Sequence, residues 1–275
     1  RRVRTPQGSR YLAADVDRIA QRSAARKGHA AVASGALVWG EPVLDSALTQ
    51  VGSELAFRGV SLGHWLDEGS SFEEVADHLW DVPHAPWPTP RKTPKLRLGE
   101  PALGPLSRAL ARWASRWGEE DETKLARRCI VSLVRAVCPA SHATGTLAER
   151  WAYGLNGGSA EAELIRRSLI VIIDHGLNQS AFAARIAASA GASLVASLGA
   201  ATYVLSGVRH GTSVHRIHAW AQELPRRRVA AALARRIAAG ERPPGFNHPL
   251  YPQGDPRADP LLELAARRRK GRPEL

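Results

Sequence analysis

The sequence predicts an all-α, multi-helical fold with one small hairpin near its N-terminal end. Three observations carry this expectation. From about residue 104 onward, apolar side chains recur at spacings of three and four almost without a break. No alternating series of the kind a parallel sheet needs is present. The breaks between periodic segments hold helix-stopping residues, such as Gly240 followed by Pro243-Pro244. The chain has 275 residues, 44% hydrophobic and 23% charged, which is an ordinary globular composition with material for a large core.

Taken in order, residues 1–10 read as extended or turn-like around Pro6 and Gly8. Residues 11–27 read as a helix, with Leu12, Val16, Ile19 and Ala20 on one side and Arg on the other. A small-residue linker occupies 28–45. Residues 47–51 and 54–57 flank Gly52-Ser53 as a small hairpin. Ser71 and Glu74, three apart, form a capping box that opens a helix through Trp80. Pro83, Pro86, Pro88, Pro90, Pro94 and Pro101 make 82–101 an irregular excursion. Helices follow over 106–117, 122–137, 159–173, 181–190, 193–206, 214–224, 226–239 and 260–270. Those at 181–190 and 193–206 are rich in Ala, so they are expected to pack tightly and to be largely buried.

The formal charge is +12, but it sits at the ends. Residues 1–30 carry +6 and residues 257–275 carry +3, which leaves +3 for everything between. A nucleic-acid surface over the body is therefore not favoured. No apolar run is long enough to span a bilayer, so no membrane partner is expected. Cys129 and Cys138 read as core thiols rather than a disulfide framework or a zinc site. The chain contains no Met and opens with Arg1-Arg2, from which a fragment of a longer protein is expected.

Three histidines stand at breaks between helices, each beside a Gly or Pro. His175 lies in Ile172-Ile-Asp-His-Gly-Leu-Asn178. His210 lies in Ser206-Gly-Val-Arg-His-Gly-Thr-Ser213. His248 lies in Gly245-Phe-Asn-His-Pro-Leu-Tyr251, followed by Gly254-Asp-Pro-Arg257. Side chains at such junctions can converge on a cleft, although a single histidine at a helix end more commonly caps it or faces solvent. His215 and His218 are three apart on one helix but have no third ligand nearby, so no metal is expected. No P-loop, dinucleotide fingerprint or Gly-x-Ser-x-Gly elbow occurs.

Taken together and in order, these segments resemble the citrate synthase family, whose motifs are DHELN, then GPLHGG or PRHGG, then GFGHxxY…DPR. They stand here as Asp174-His-Gly-Leu-Asn178, Val208-Arg-His-Gly211 and Gly245-Phe-Asn-His248…Asp255-Pro-Arg257. Phe182-Ala-Ala-Arg-Ile-Ala-Ala-Ser-Ala-Gly191 is similar to the family helix after DHELN. Phe57-Arg-Gly59 and Ser71-Phe-Glu-Glu-Val-Ala-Asp-His-Leu-Trp80 are similar to its YRG…SFEEVAxLLW stretch. The likeness covers residues 35–265.

The resemblance implies a citrate synthase-like, almost wholly helical homodimer. It implies a large domain mainly over 31–210 and the start of a small domain over about 211–275, with the active site in the cleft between them. It implies a cytoplasmic acyltransferase of the tricarboxylic acid cycle. Acetyl-CoA or propionyl-CoA would condense with oxaloacetate, the CoA ester entering as substrate and no cofactor being required. By motif match His210 and His248 are the catalytic residues, and His175 and Arg257 bind substrate. His210 would donate a hydrogen bond to the developing enol oxygen, and its place before a helix start favours a neutral ring. His248 would polarise and then protonate the ketone oxygen. Arg257 would clamp a carboxylate through its planar fork.

Three positions depart from the family pattern: Gly176 replaces Glu, Asn247 replaces Gly and Thr212 replaces a second Gly. The family's general-base Asp belongs to a later segment, and no Asp follows residue 259 here. Little or no synthase activity is therefore expected of these 275 residues alone. Residues 5–19 resemble the wing and following helix of a MerR-type helix-turn-helix domain, with a basic linker helix as the plainer alternative. The alternative function is accordingly a DNA-binding or ligand-sensing regulator on the same scaffold.

Overall fold

A computed structural model describes residues 2–5, 8–11, 46–52, 54–89, 103–114, 121–138, 144–225, 227–246, 248, 251 and 253–270. The helix expected from residue 11 to 27, the linker over 28–45, and Asn247 lie outside the described residues, apart from Tyr11. At the N-terminal end β1 (Arg2–Thr5) pairs antiparallel with β2 (Gly8–Tyr11) in the register Arg2 to Tyr11. The segment expected to be extended around Pro6 and Gly8 is thus a two-stranded ribbon.

The expected hairpin at 47–57 is present and larger than expected. β3 (Thr49–Val51) pairs with β4 (Leu55–Phe57), and a third strand, β5 (Val60–Ser61), continues the sheet in the order β3-β4-β5. The chain then enters α1 (Leu62–Asp67), with Ser61 accepting from the His64 N–H. α2 (Phe72–Leu79) opens on the Ser71–Glu74 capping box, as the sequence indicates. Residues 81–89 carry neither helix nor strand, in line with their prolines.

The remaining helices are α3 (Leu103–Ala114), α4 (Glu122–Val137), α5 (Leu147–Gly154), α6 (Ser159–Val171), α7 (Gln179–Ser189), α8 (Leu194–Leu205), α9 (Ser213–Gln222), α10 (Val229–Ala238) and α11 (Asp259–Lys270). All but α5 fall within a few residues of the expected spans. α1 and α5 were not foreseen. For α5 the signal existed, because Thr146 and Glu149 form a complete capping box.

Two adjoining apolar clusters form the core. Leu55 and Phe57 of β4 pack with Leu62 and Leu66 of α1, Val75 and Leu79 of α2, and Ile170 and Val171 at the end of α6. Ala76, Trp87, Val131, Val134 and Leu147 form the second cluster, which joins α2, α4 and α5 to the excursion. Cys129 and Cys138 are buried, as expected of core thiols. Phe57 is wholly inaccessible, so its ring contributes several kcal/mol by burial and packing alone.

Between these clusters lies a buried charge. Asp77, 1% exposed, accepts from Arg127 Nε at 3.0 Å and from Trp87 Nε1 at 3.2 Å, and its other oxygen pairs with His84 Nδ1 at 2.9 Å. These contacts tie the proline-rich excursion to α2 and α4.

One packing expectation is corrected. α7 has no buried residue, and α8 buries only Val195, Ser197 and Thr202. α8 packs on α7 and on α3, but the outer faces of the pair are open among the described residues. Small residues allow close approach, yet among the described residues few neighbours cover the second side.

Asp77→Ala removes the carboxylate from Arg127 and Trp87 together. Chemical denaturation is expected to show a loss of about 3–5 kcal/mol, the usual cost of stranding a buried charge.

Candidate active site

The site begins where α6 runs out. Ile170 and Val171 are pinned in the core, and the chain leaves them through a turn that ends at Asn178. Asp174 fixes this turn: its Oδ2 accepts from Gly176 N–H at 3.0 Å and from the hydroxyl of Thr49, a wholly buried residue of β3. Gly176 has φ +59, a left-handed conformation that suits glycine over the Glu of the resembled motif. Asn178 then caps α7, its Oδ1 accepting from Ala181 N–H at 3.0 Å. The result is a His175 imidazole held at 7% exposure.

His248 and Arg257 arrive on a chain of tight turns. Tyr251 N–H donates to His248 O at 2.9 Å, Gly254 N–H to Tyr251 O at 3.2 Å, and Ala258 N–H to Asp255 O at 2.9 Å. This winding sets His248 edge-on to His175, with ring centroids 5.1 Å apart at 90°. Tyr251 lies against both rings, at 5.5 Å from His175 and 5.2 Å from His248. Its hydroxyl sits 2.7 Å from His175 Nε2. The Arg257 guanidinium stands 5.4 Å from the centre of the Tyr251 ring, within cation–π range. Tyr251 closes the GFGHxxY-like segment but was given no role from the sequence. Its place three residues after His248 was the available signal.

Asp255 holds the Arg257 fork bidentate, at 2.9 Å to Nε and 2.6 Å to Nη2. Burial opposes the charge on Asp255, but the hydrogen bonds and charge of Arg257 outweigh it and hold the carboxyl below its usual range. For His248, burial and then the Arg257 cation push the ring below its usual value, against a smaller pull from Asp255.

His210 reaches the same region by another route. The loop after α8 closes through His210 N–H to Gly207 O at 2.9 Å, and Thr212 Oγ1 donates to Gly207 O at 2.9 Å. Thr212 has φ −78, so replacing a second glycine here carries no backbone strain, and its hydroxyl secures the loop. Gly211 is required, because a Cβ there would lie 2.5 Å from Leu205 O. The His210 ring faces the start of α7, with Nε2 3.0 Å from Ser180 Oγ. Ser180 also lies 2.9 Å from Asn178 Oδ1, so one hydroxyl links His210 to the His175 turn. Burial lowers the His210 pKa. The structure thus brings His175, His248 and Arg257 together around Tyr251, and connects His210 to them through Ser180 and Asn178.

His215 and His218 are exposed on α9. Among the described residues, no three His, Cys, Asp or Glu side chains converge as a metal site. No helix among them is long and apolar enough to cross a membrane.

The lowered histidines have a consequence for stability. An unfolded imidazole titrates near 6.5, and folded His210 and His248 titrate below that. As pH falls through about 6.5 the unfolded chain binds protons first, so stability declines until the folded values are passed. Urea midpoints measured between pH 7.5 and 5 are expected to fall, and to fall less in a His210→Gln/His248→Gln double variant.

With the geometry in hand, the chain can be compared with known proteins. The family model for the C-terminal domain of citrate synthase matches residues 126–275. Proteins named putative citrate synthase 2 in Mycobacterium bovis and Mycobacterium tuberculosis are 29% identical over 249 residues, covering 78% of this chain. The chain spans 65% of the length of these relatives. Citrate synthase 2 of Bacillus subtilis is 32% identical over 125 residues, 44% of this chain and 34% of that protein. Among solved structures, the Thermoplasma acidophilum citrate synthase in ternary complex with carboxymethyl coenzyme A and oxaloacetate superposes with a TM-score of 0.68. The match has 19% identity and covers 85% of this chain and 72% of that one. The Thermotoga maritima citrate synthase gives 0.63 at 18% identity, covering 86% and 73%. These structures establish the helical fold. The matched region takes in more than half of the sequence, and all of His175, His210, His248 and Arg257, so the chain belongs to the citrate synthase family.

Proposed function

We propose that the chain carries the keto-acid-binding and carbonyl-activating groups of a citrate synthase-type acyltransferase. In that reaction the α-carbon of acetyl-CoA attacks the ketone of oxaloacetate, and water then cleaves the thioester to release citrate and CoA. The observation that carries this reading is the contact set of His175, His248 and Arg257 around Tyr251. It offers two imidazoles and a guanidinium in a half-buried space, a combination suited to a small dicarboxylate with a polarisable carbonyl.

Each group has a task in this reading. Arg257 binds a carboxylate; its five N–H donors exceed the two that Asp255 takes. His248, kept neutral by burial and by Arg257, donates to the ketone oxygen and passes it a proton as the new C–C bond forms. His175 hydrogen-bonds the same substrate. His210 is biased toward the neutral form by burial; because the Ser180 hydroxyl donates to Asn178 Oδ1, its N–H is on Nε2, which in this reading turns from Ser180 Oγ to the thioester oxygen, where enol charge develops. The carboxylate that accepts the α-proton is none of these four. The division into a large domain to about residue 210 and a small one beyond it belongs to the same proposal, with His210 at the boundary.

The open faces of α7, α8 and the start of α9 favour a homodimer. Ile186, Tyr203, Val208 and Val214 are each more than half exposed there. Light scattering of the chain is expected to give a dimer mass, and Tyr203→Asp is expected to shift it toward the monomer.

A second reading rests on the N-terminal ribbon. Arg2, Arg4 and Arg10 stand on β1 and β2, a ribbon that leads into and overlaps the 5–19 stretch where a MerR-type wing is resembled, and this fits a DNA-contacting element. DNA affinity that falls steeply with salt would favour that reading.

The acyltransferase reading is tested by calorimetric titration with oxaloacetate. Binding is expected to weaken at least tenfold in Arg257→Ala. In assays of citrate formation, His248→Ala and His210→Ala are each expected to lose about 10²–10⁴-fold of whatever rate the chain supports. Absence of oxaloacetate binding to the unaltered chain would overturn the reading.

A further inference from the structure

We propose that Tyr251 is the positioning residue of this site: its hydroxyl donates to Nε2 of His175 and fixes that ring as the Nδ1–H tautomer, while its ring seats Arg257. This deepens the acyltransferase reading and rests on it for the identity of the substrate.

The hydroxyl lies 2.7 Å from Nε2, and both residues are buried, Tyr251 at 8% and His175 at 7% exposure. Water therefore competes little for this bond, which favours one tautomer of the ring. The direction of donation follows from chemistry. A phenol O–H is a stronger acid than an imidazole N–H, and an imidazole nitrogen is a stronger base than a phenol oxygen, so O–H···N is the favoured pairing. Burial keeps the phenol protonated, against the opposing pull of Arg257.

The same side chain acts through its face. Arg257 stands 5.4 Å from the ring centre, and His248 packs on the ring with centroids 5.2 Å apart. The backbone turn from His248 O to Tyr251 N–H makes the arrangement local. One residue thus sets the proton position on His175 and the orientation of two neighbours.

Tyr251→Phe keeps the ring and removes the hydroxyl, and Tyr251→Leu removes both. The readouts are the imidazole ¹⁵N shifts of His175, the calorimetric affinity for oxaloacetate, and the melting temperature as a check on folding. In the unaltered chain Nε2 is expected to be of the unprotonated type, and its resonance to move in the Phe variant. Affinity is expected to fall about tenfold in Phe, roughly 1.4 kcal/mol, and further in Leu. A protonated-type Nε2 in the unaltered chain, or a resonance unmoved in Phe, overturns the proposal. Where both forms bind oxaloacetate, equal affinities also overturn it. A resonance that moves in a chain that does not bind oxaloacetate upholds the tautomer assignment and rejects the substrate reading instead.

Discussion

The carboxylate of Asp174 is the constraint on which the site depends. It binds the Thr49 hydroxyl across 125 positions of sequence and the Gly176 N–H two residues away. One side of this junction is the small β-sheet, and the other is the turn that carries His175. The end of α6 is already fixed by Ile170 and Val171 against Phe57. A rigid core segment, a locked turn and the Asn178 cap of α7 follow one another within nine residues. Catalytic geometry needs side chains held to a fraction of an ångström, and a turn braced at both ends can hold them.

From that turn the site grows by contact rather than by regular structure. Between His248 and Arg257 the described residues are linked by short-range backbone bonds, and their side chains are ordered by Tyr251 and by the bidentate Asp255–Arg257 pair. Burial works in one direction on its histidines: it disfavours imidazolium, and at His248 the neighbouring guanidinium adds to that effect. In the proposed reading, imidazoles biased toward the neutral form beside a cation suit a carboxylate and keep N–H donors for a carbonyl. The Ala-rich helices α7 and α8, which follow the Asn178 cap, bury few side chains among the described residues.

The sequence by itself determined the helical class, most helix spans and the candidate residues. The reasons are local: apolar spacing of three and four marks a helix face, and a Ser or Thr three before Glu marks its start. Glycine and proline beside His175, His210 and His248 marked the junctions for the same local reason. α5 was missed although Thr146 and Glu149 announce it, and the short α1 has too few residues to show a period.

Only the tertiary structure decided which junctions meet and through what. Nothing local links Thr49 to Asp174, Ser180 to His210, or Tyr251 to His175, because these bonds form between segments that the core brings together. Burial was likewise misjudged at α7: small residues permit close packing, but whether a partner surface exists is a property of the whole assembly. Spacing along a chain encodes faces and turns, whereas the partners of a polar side chain are set by which surfaces the hydrophobic core has already joined.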